Sequence, residues 1–505
     1  MDGLTEIRLR LDEFKKQMEE TEKDAVQAVS RQFNASLWQE IRSDEVLAFV
    51  RKPYAIVPYK QGEWRLFIPR FIPLEVGWLE FQTESYNVYR VNRYVDWLTP
   101  LPAVLKDELG IELPEFRVAL DSEHNIAVLE EGDVKIFKKK YQLFIGRQID
   151  EKSFQIKSPK KFSLVIELLK DGVMPFSPTP VNADDILGEE RVKFKLRDYQ
   201  KEAWELFLKY SHVGIFYPYG AGKSMLGLYA IGKIRGEKLV VVPTVTLREQ
   251  WAERIKNQLD VDPSEVKIVT YHSAVKESAE KAYSLIVFDE VHHLPSNVFS
   301  IISFLKRKYT IGLSGSPYRE DGRSELIFAL TGYPIGVSWG YFFKKGLVKK
   351  PTVNLIIVRE ETEKLSQLDS LMMVPRVTLV YCDNLKKGEA IANRFSGTFI
   401  NGETKNRLET VRSALDKDGF VILSRVGDEG ISLPEIQRVI EYDYLFGSRR
   451  QEGQRAGRLF HAVEEGEHVI LMTLDEYRKY KKRLYSLTEK GIEIKIENLA
   501  YELTE

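Results

Sequence analysis

The chain has 505 residues, which at about 150 residues per domain suggests three or four domains. Its composition is 43% hydrophobic, 11% aromatic and 30% charged, which excludes a disordered, collagen-like or disulfide-scaffold protein. The single cysteine, Cys382, excludes an intrachain disulfide and a four-cysteine metal site, and its thiol is most simply a small core residue.

Neither a targeting segment nor a membrane helix is visible. The longest apolar runs, such as Leu285–Phe288, are far shorter than the ~20 residues that cross a bilayer. The first residues contain neither the basic nor the apolar part of a secretory signal. We therefore expect a cytoplasmic protein, or a nuclear one if the source is eukaryotic, without membrane contact.

The net charge of −1 hides an uneven distribution. Residues 1–190 carry 26 Lys and Arg against 33 Asp and Glu, a net charge of −7, whereas residues 191–505 carry 48 against 42, a net charge of +6. The basic part permits a partner with a phosphate backbone. Charge alone fits two ordinary domains of different composition equally well.

Residues 1–45 are predicted to be a helical segment. Apolar residues at alternating three- and four-residue steps run from Leu4 to Ala25, the pattern of a short coiled coil or helical hairpin. A helix over residues 4–33 that packs on its own domain is the simpler interpretation, because a seam of three heptads that contains Thr21 is marginal.

Residues 46–180 are predicted to form a strand-rich accessory domain. Short β-like runs, such as Tyr54–Val57 and Val134–Phe137, are separated by Pro and Gly. Pro175–Pro180 cannot continue a helix or a central strand, so we place a linker there. Beyond Phe194, apolar β-branched runs alternate with helical segments, which is typical of an α/β fold with parallel sheets.

A predicted phosphate-binding loop follows a buried strand at Val213–Phe216. The loop consists of Gly220, Ala221, Gly222, Lys223 and Ser224. Its small residues let backbone N–H groups converge on phosphate oxygens at the start of the next helix. Lys223 would reach the β- and γ-phosphates of ATP, and the Ser224 hydroxyl would bind Mg²⁺. The full motif has a further glycine where Tyr217 stands, and a glycine-rich turn before a helix is the alternative.

An acidic pair, Asp289 and Glu290, follows the strand Ser284–Phe288. Carboxylates at the C-terminal end of a parallel strand lie on the ligand side of the sheet. Asp289 would hold Mg²⁺, largely through water, and Glu290 would polarise the water that attacks the phosphate. A zinc site at His292 and His293 is disfavoured, because adjacent helical residues point apart and no thiolate is near; we expect His292 to sense a neighbouring domain.

The next strand, Tyr309–Leu313, ends in Ser314, Gly315 and Ser316, whose hydroxyls could bond to the acidic pair. The phosphate loop, the acidic pair and this turn resemble motifs I, II and III of superfamily-2 helicases. The resemblance implies two tandem RecA-like domains, with parallel sheets flanked by helices, behind an α+β N-terminal module. We place the two motor domains at 190–345 and 346–505.

Other segments extend the resemblance. Arg197 and Gln200 resemble the segment that reads adenine, where Gln200 would contact the base edge and Arg197 would stack or bond nearby. In the segments that resemble motifs Ia and Ib, Thr244, Arg248 and Thr270 would contact the nucleic-acid backbone.

A second series of strands and helices begins near Arg376. Asp428 and Gly430 lie in a stretch that resembles motif V and would help to bind the nucleotide. Gln451, Arg455 and Arg458 lie in a helix that resembles motif VI. The resemblance implies that both arginines neutralise the γ-phosphate, an effect worth ~10³–10⁵ in rate. Without this context, such a cluster is usually a solvated helix face.

The branch of the family is suggested by Arg319, Glu320 and Asp321, which follow motif III. With motifs II and VI, this triplet resembles the XPB branch of DNA repair and transcription helicases, where it is associated with duplex unwinding. The alternative for the triplet is a charged surface turn. Two departures are the short stretch 358–375, which leaves little room for the family's helical thumb, and His461 in place of a further arginine. Residues 1–190 do not align with the family's damage-recognition domain.

We therefore expect an ATP- and Mg²⁺-dependent DNA helicase or translocase that acts on duplex or forked DNA in repair, recombination or transcription. Residues 1–190 would bind any protein partner, such as a nuclease. An RNA helicase and the motor of a restriction or nuclease complex remain alternatives. A non-catalytic DNA-binding platform is disfavoured by Lys223, Glu290 and both arginines, and a metabolic kinase is disfavoured by the second motor domain.

Overall fold

A computed structural model describes most of the chain beyond residue 53. The described residues are 54–60, 63–70, 78–82, 85–94, 107–111, 114–176, 179–277, 280–295, 297–315, 324–336, 342–343, 345–425, 435–444, 449–460, 466–484, 487 and 492–500. The helix expected at residues 4–33 lies outside them. No helix within these ranges is long and apolar enough to cross a membrane. The chain divides into two compact units, Met1–Glu115 and Phe116–Glu505.

The first unit contains an antiparallel sheet of four strands in the order β1-β2-β4-β3. The strands are β1 (Ala55–Lys60), β2 (Glu63–Pro69), β3 (Trp78–Gln82) and β4 (Tyr86–Asn92). In β2, Leu66 and Ile68 are buried, as the alternation of a sheet with one covered face requires. The split at residue 115 falls inside the segment 46–180 that the sequence predicts as one accessory domain.

The second unit begins with another antiparallel sheet, in the order β5-β6-β8-β7. Its strands are β5 (Arg117–Asp121), β6 (Ile126–Glu131), β7 (Ile145–Gln148) and β8 (Ser153–Ile156), and its helices are Val134–Lys140 and Lys161–Lys170. The prediction of a strand at Val134–Phe137 was wrong. Asp133 caps a helix there by accepting a hydrogen bond from the N–H of Ile136 at 2.9 Å, and Phe137 points into the core.

The first motor sheet is parallel, with the order β11-β10-β12-β13-β9-β14. Its strands are β9 (His212–Ile215), β10 (Lys238–Val242), β11 (Val266–Thr270), β12 (Ala282–Asp289), β13 (Lys306–Leu313) and β14 (Tyr333–Ile335). Its α-helices are Asp198–Tyr210, Lys223–Lys233, Val245–Gln258, Tyr271–Ala274 and Ser324–Thr331. All five residues of β10 are buried, because helices cover both faces of a parallel sheet.

The second motor sheet is also parallel, with the order β17-β18-β16-β19-β20-β15-β21. Its strands are β15 (Thr352–Val358), β16 (Thr378–Cys382), β17 (Phe399–Ile400), β18 (Phe420–Leu423), β19 (Arg438–Asp443), β20 (Glu467–Thr473) and β21 (Ile494–Asn498). Its α-helices are Glu361–Met372, Leu385–Phe395, Arg407–Asp418, Arg449–Ala456 and Leu474–Tyr480. Two parallel sheets flanked by helices confirm the predicted fold class. Cys382 is buried in this core.

Contacts between its parts hold the second unit together. The accessory sheet bonds to the first motor domain through Asn125, whose Nδ2 donates to the carbonyl of Phe304 at 2.9 Å. The segment between the motor sheets packs on both of them, since the ring of Phe342 lies 5.1 Å from that of Tyr199, and the ring of Phe343 lies 5.6 Å from that of Phe460. The two motor domains therefore share a continuous apolar core.

Candidate nucleotide-binding site

The strand order brings the predicted phosphate loop and acidic pair to one edge of the first motor sheet. β13 lies between β9 and β12, with Leu313 paired to Ile215 on one side and to Asp289 on the other. The carboxyl ends of these three strands are therefore adjacent. Residues that follow them in sequence meet at this edge.

The phosphate loop has the backbone of an anion-binding turn. Gly220 and Gly222 have φ angles of +85° and +78°, a region that favours glycine, and the helix Lys223–Lys233 starts directly afterwards. The Tyr199 hydroxyl donates to the carbonyl of Ala221 at 2.7 Å. The loop is thus held open toward the helix N-terminus, where a phosphate group is favoured.

Gln200 and Arg197, expected at the adenine, lie beside this loop. Nε2 of Gln200 donates to the carbonyl of Gly222 at 3.0 Å, and its Oε1 accepts from the backbone N–H of Arg197 at 2.9 Å. Gln200 is 3% exposed, so in this structure its amide supports the loop and the start of its own helix.

Lys223 is buried, and its hydrogen-bond partners among the described residues are neutral. Its Nζ donates to the carbonyls of Tyr217 and Pro218 at 3.2 and 3.3 Å and lies 4.9 Å from the centre of the Tyr219 ring. Burial lowers the pKa of Lys223, and the nearby carboxylates of Glu290 and Asp289 oppose this shift. Ser224 follows it in the helix and is partly exposed.

Asp289 is buried at the end of β12 and is held by neutral donors. The indole Nε1 of Trp251 donates to its Oδ2 at 2.8 Å, and the backbone N–H of Glu290 donates to its Oδ1 at 3.0 Å. Burial, followed by the charge of Glu290, raises the pKa of Asp289 to about 6. A carboxylate in such a place gains from a nearby cation.

Glu290 has the left-handed backbone conformation, with φ of +48°, which is costly for a residue with a side chain. Its Oε2 lies 3.2 Å from Nδ1 of His292, and the same nitrogen is hydrogen-bonded to Oγ of Ser314 at 3.0 Å. The structure thus links the acidic pair to the end of β13 through His292, which is 1% exposed.

The residues expected at nucleic acid lie at the same sheet edge, beyond β10 and β11. Val242, the last residue of β10, pairs with Thr270, the last residue of β11, and Thr244 follows β10 by two residues. Each caps a helix: Thr244 Oγ1 accepts from the N–H of Leu247 at 3.2 Å, and Thr270 Oγ1 accepts from that of Ser273 at 3.3 Å. Arg248 is exposed in the helix that Thr244 caps.

Arg455, predicted to neutralise the γ-phosphate, is bonded to two buried carboxylates in this structure. Its guanidinium is fully buried, bonding through NH1 to Oε2 of Glu441 at 2.7 Å and through NH2 to Oδ1 of Asp383 at 2.8 Å. Arg483 donates to the same Glu441 oxygen at 2.6 Å, and to Oε2 of Glu452 at 2.7 Å. Arg455 therefore anchors its helix to the second motor sheet.

Arg458 has a different position. The helix Arg449–Ala456 tightens into the 3₁₀ turn Gly457–Leu459, so Arg455 and Arg458 do not share a regular helix face. Gly457 faces the phosphate loop closely enough that a Cβ there would lie 2.6 Å from Cβ of Tyr219. The turn that carries Arg458 therefore contacts the phosphate loop, and Arg458 is partly exposed, whereas Gln451 is buried.

Six of the predicted site residues lie outside the described residues. They are Asp428, Gly430, Ser316, Arg319, Glu320 and Asp321. Sequence reasoning gave no role to Trp251, although a fully buried indole N–H generally has an acceptor, and here the acceptor is Asp289. It also gave no role to Tyr219.

Comparisons with known proteins match both motor domains. Residues 193–319 match the family described as type III restriction enzyme, res subunit, and residues 373–495 match the family described as ERCC3/RAD25/XPB C-terminal helicase. A Rad25 protein of Haloarcula marismortui is 32% identical over 355 residues, which cover 61% of this chain and 57% of the relative. The chain thus spans little more than half the length of this relative.

Two further relatives carry related names. A DNA 3'-5' helicase XPB of Mycobacterium tuberculosis is 24% identical over 72% of this chain and 76% of its own length. A DNA 3'-5' translocase XPB2 of Sulfurisphaera tokodaii is 36% identical over 36% of this chain and 42% of its own length. The resemblance read from the motifs is confirmed: the two motor domains are similar to superfamily-2 helicases of the XPB type.

Proposed function

We propose that the chain is an ATP-driven motor that moves along or opens duplex DNA, with 3′–5′ directionality. One observation carries this proposal: Lys223 and the acidic pair converge at one sheet edge, beside the turn of the second motor domain that bears Arg458. The names of the relatives support DNA as the substrate and 3′–5′ as the direction of movement. A role in repair or transcription is supported by the name of a plant relative, a general transcription and DNA repair factor IIH subunit.

ATP would bind with its phosphates at the start of the helix Lys223–Lys233. The phosphate charge would replace the two carbonyls that now accept from Lys223. This exchange is favourable because a buried ammonium gains more from an anion than from neutral oxygens. Arg197 and Gln200 lie at the base of the loop, within reach of a nucleotide that occupies it.

The site suits Mg²⁺, an ion that prefers oxygen ligands. Asp289 offers a buried carboxylate with a raised pKa and only neutral donors on its oxygens, and Ser224 offers a partly exposed hydroxyl at the helix start. When bound, the ion would neutralise charge on the transferred phosphoryl group. Trp251 fixes the carboxylate of Asp289 in place for this purpose.

Glu290 is the proposed base that orients the attacking water. Its carboxylate oxygen Oε2 lies 3.2 Å from Nδ1 of His292. Because His292 also contacts Ser314, a change at the phosphate would be transmitted to the end of β13. Arg458 is the proposed arginine finger from the second motor domain, and Arg455 is the anchor of its helix.

Thr244, Arg248 and Thr270 are the proposed contacts to the DNA backbone. Helix N-termini and exposed arginines are typical donors to phosphate oxygens. β10, which leads to Thr244, lies between β11, which ends at Thr270, and β12, which ends at Asp289, so movement of the DNA would be coupled to the acidic pair through the sheet. Arg248→Ala should weaken DNA binding and reduce its salt dependence, with ATP hydrolysis in the absence of DNA unchanged.

The decisive experiment measures ATP hydrolysis by the full chain with duplex DNA, single-stranded DNA or RNA. We expect the largest stimulation by duplex or forked DNA and its loss in Glu290→Gln, whose thermal unfolding should match the wild type. Stronger stimulation by RNA would support the rival helicase, and retained turnover in Glu290→Gln would contradict the assigned base. Glu249→Gln, an exposed carboxylate in the helix Val245–Gln258, is a matched control.

The match of residues 193–319 to a restriction-enzyme subunit favours a second candidate, the motor of a nuclease complex. In this case a protein partner bound by residues 1–190 would cut the DNA. Pull-down of a nuclease whose cutting requires ATP hydrolysis by this chain would support it, and ATP-driven opening of forked DNA by the chain alone would favour the first proposal.

A further inference from the structure

Tyr219 lies in the phosphate loop, where it meets the ends of elements from both motor domains. Its backbone belongs to the turn before Gly220, and its side chain is partly buried. It is the residue of the first motor domain that faces Gly457 most closely. Neither the proposed binding of phosphate nor the hydrolysis of ATP assigns it a role.

The tip of the Tyr219 ring covers Gly315, at the end of β13. A Cβ on Gly315 would lie 2.6 and 2.8 Å from the ring carbons Cε1 and Cε2, closer than real Cβ contacts come. The ring therefore occupies the space that any larger residue at position 315 would need. Gly315 follows Ser314, which is bonded to His292 of the acidic pair.

The base of the same side chain faces Gly457. A Cβ on Gly457 would lie 2.6 Å from Cβ and 3.0 Å from Cγ of Tyr219. Gly457 immediately precedes Arg458, so the side chain of Tyr219 sets how closely the arginine-bearing turn approaches the loop. The ring also lies 4.9 Å from Nζ of Lys223, a distance at which a cation is attracted to an aromatic face.

We propose that Tyr219 is a positioning residue that spaces the two motor domains around the nucleotide. Its ring tip bears on Gly315 and its base on Gly457, so it fixes the turn of Arg458 relative to Lys223. Packed interfaces of this kind have discrete arrangements. A rigid ring between two glycines therefore allows few relative positions of the two motor domains. This inference rests on the proposed ATP hydrolysis and adds a residue that aligns its two halves.

The first test is Tyr219→Ala, with Tyr219→Phe as the matched control. Loss of the ring should lower kcat for DNA-stimulated ATP hydrolysis by about 10- to 100-fold, because a misplaced catalytic group costs about that much. The KM for ATP should change by less than about threefold, since the loop and Lys223 remain. Tyr219→Phe keeps the ring and should retain the wild-type kcat.

A double-mutant cycle then tests the packing itself. Gly315→Ala should lower both kcat and the midpoint of thermal unfolding, and Tyr219→Ala in the same chain should restore the midpoint, because it removes the ring carbons that the new methyl meets. Gly457→Ala is the matched control. Its methyl meets Cβ of Tyr219, which alanine retains, so Tyr219→Ala should not restore it, whereas Tyr219→Gly should.

The outcomes separate this inference from the proposed function. A wild-type protein without ATP hydrolysis would contradict both. An active wild type whose Tyr219→Ala variant keeps its kcat would overturn the inference alone. A Gly315→Ala variant with unchanged stability would also overturn it, because the ring would then be free to move aside.

Discussion

In the first motor domain, the buried charges of Lys223 and Asp289 are bonded to neutral groups, whereas in the second domain Arg455 and Arg483 are bonded to carboxylates. Lys223 donates to two carbonyls, and Asp289 accepts from an indole and a backbone N–H. In the second domain, Oε2 of Glu441 alone receives two guanidinium groups within 2.7 Å. The neutral partners in the first motor domain leave the charges of Lys223 and Asp289 to interact with a ligand. The carboxylates in the second motor domain compensate the charges of Arg455 and Arg483 internally.

This difference distinguishes a ligand-binding site from a structural cluster. A buried charged group that is hydrogen-bonded to neutral groups is costly, and such groups are enriched where a ligand can supply a charged partner. A compensated cluster instead holds elements together, here the helix Arg449–Ala456 and the strands β16, β19 and β20. The helix that carries the motif VI residues is thus fixed by Arg455, while Arg458, the proposed arginine finger, lies in the 3₁₀ turn that follows it.

The largest expected change in stability is that of Arg455→Met. Removing one partner leaves the carboxylates of Glu441 and Asp383 buried with less compensation, which should cost about 3–5 kcal/mol of unfolding free energy. Denaturant unfolding measures it. Arg478→Ala, whose ion pair with Asp475 is exposed, should change the same quantity by less than about 1 kcal/mol. Equal effects of the two substitutions would contradict a buried structural cluster.

The next expected effect is a pH dependence of the unfolding free energy that is caused by Glu452. Burial, followed by the charge of Glu441, raises the pKa of Glu452 from 4.5 to about 7. The folded protein therefore binds more protons than the unfolded one between these pH values, and this contribution to stability is lost as the pH rises through 7. Glu452→Gln removes the dependence, so its stability relative to the wild type should increase by about 1–3 kcal/mol from pH 5 to pH 8.

The measurement for Glu452→Gln is urea unfolding of both proteins over this pH range. Its control is Glu476→Gln, since Glu476 is paired with Lys364 outside this cluster. A constant stability difference between wild type and Glu452→Gln at every pH would show that Glu452 is ionised throughout, and that the cluster holds its charges differently.

The smallest expected change in stability is that of Lys223→Met, the same type of substitution as Arg455→Met. Because Lys223 is bonded only to carbonyls and burial lowers its pKa, its loss should alter the unfolding free energy by less than about 1 kcal/mol. ATP hydrolysis should nevertheless fall by about 10²–10³-fold. Lys201→Met, at an exposed ion pair with Asp198, is the control for both measurements. A large loss of stability in Lys223→Met would remove the contrast between the two domains.

The sequence was sufficient to predict features that follow from chain order. The three strands that lead to Lys223, Asp289 and Ser314 could be placed with their carboxyl ends at one edge, because parallel strands share a direction. The helix at Val134–Lys140 could not be predicted in this way, because a short apolar run with Lys residues fits both the helix period and the strand period. The N-terminal cap by Asp133 favours the helix.

Side-chain partners that are distant in sequence also could not be predicted. The spacing of Arg455 and Arg458 suggested a common role, but Asp383, which bonds to Arg455, is brought to it only by the order of the sheet. Gln200 likewise has a loop partner, Gly222, that its own motif does not reveal. A motif specifies the residue type at each position, and the fold decides which atoms that residue contacts.

We propose that ATP lies between the two motor domains, with Lys223 and Glu290 on one side and Arg458 on the other. Arg458→Ala tests it most directly, through ATP affinity and single-turnover hydrolysis measured on the same preparation, with Arg478→Ala as the control. We predict ATP affinity within about threefold of the wild type and hydrolysis slower by about 10³-fold. Hydrolysis at the wild-type rate in Arg458→Ala would contradict the claim.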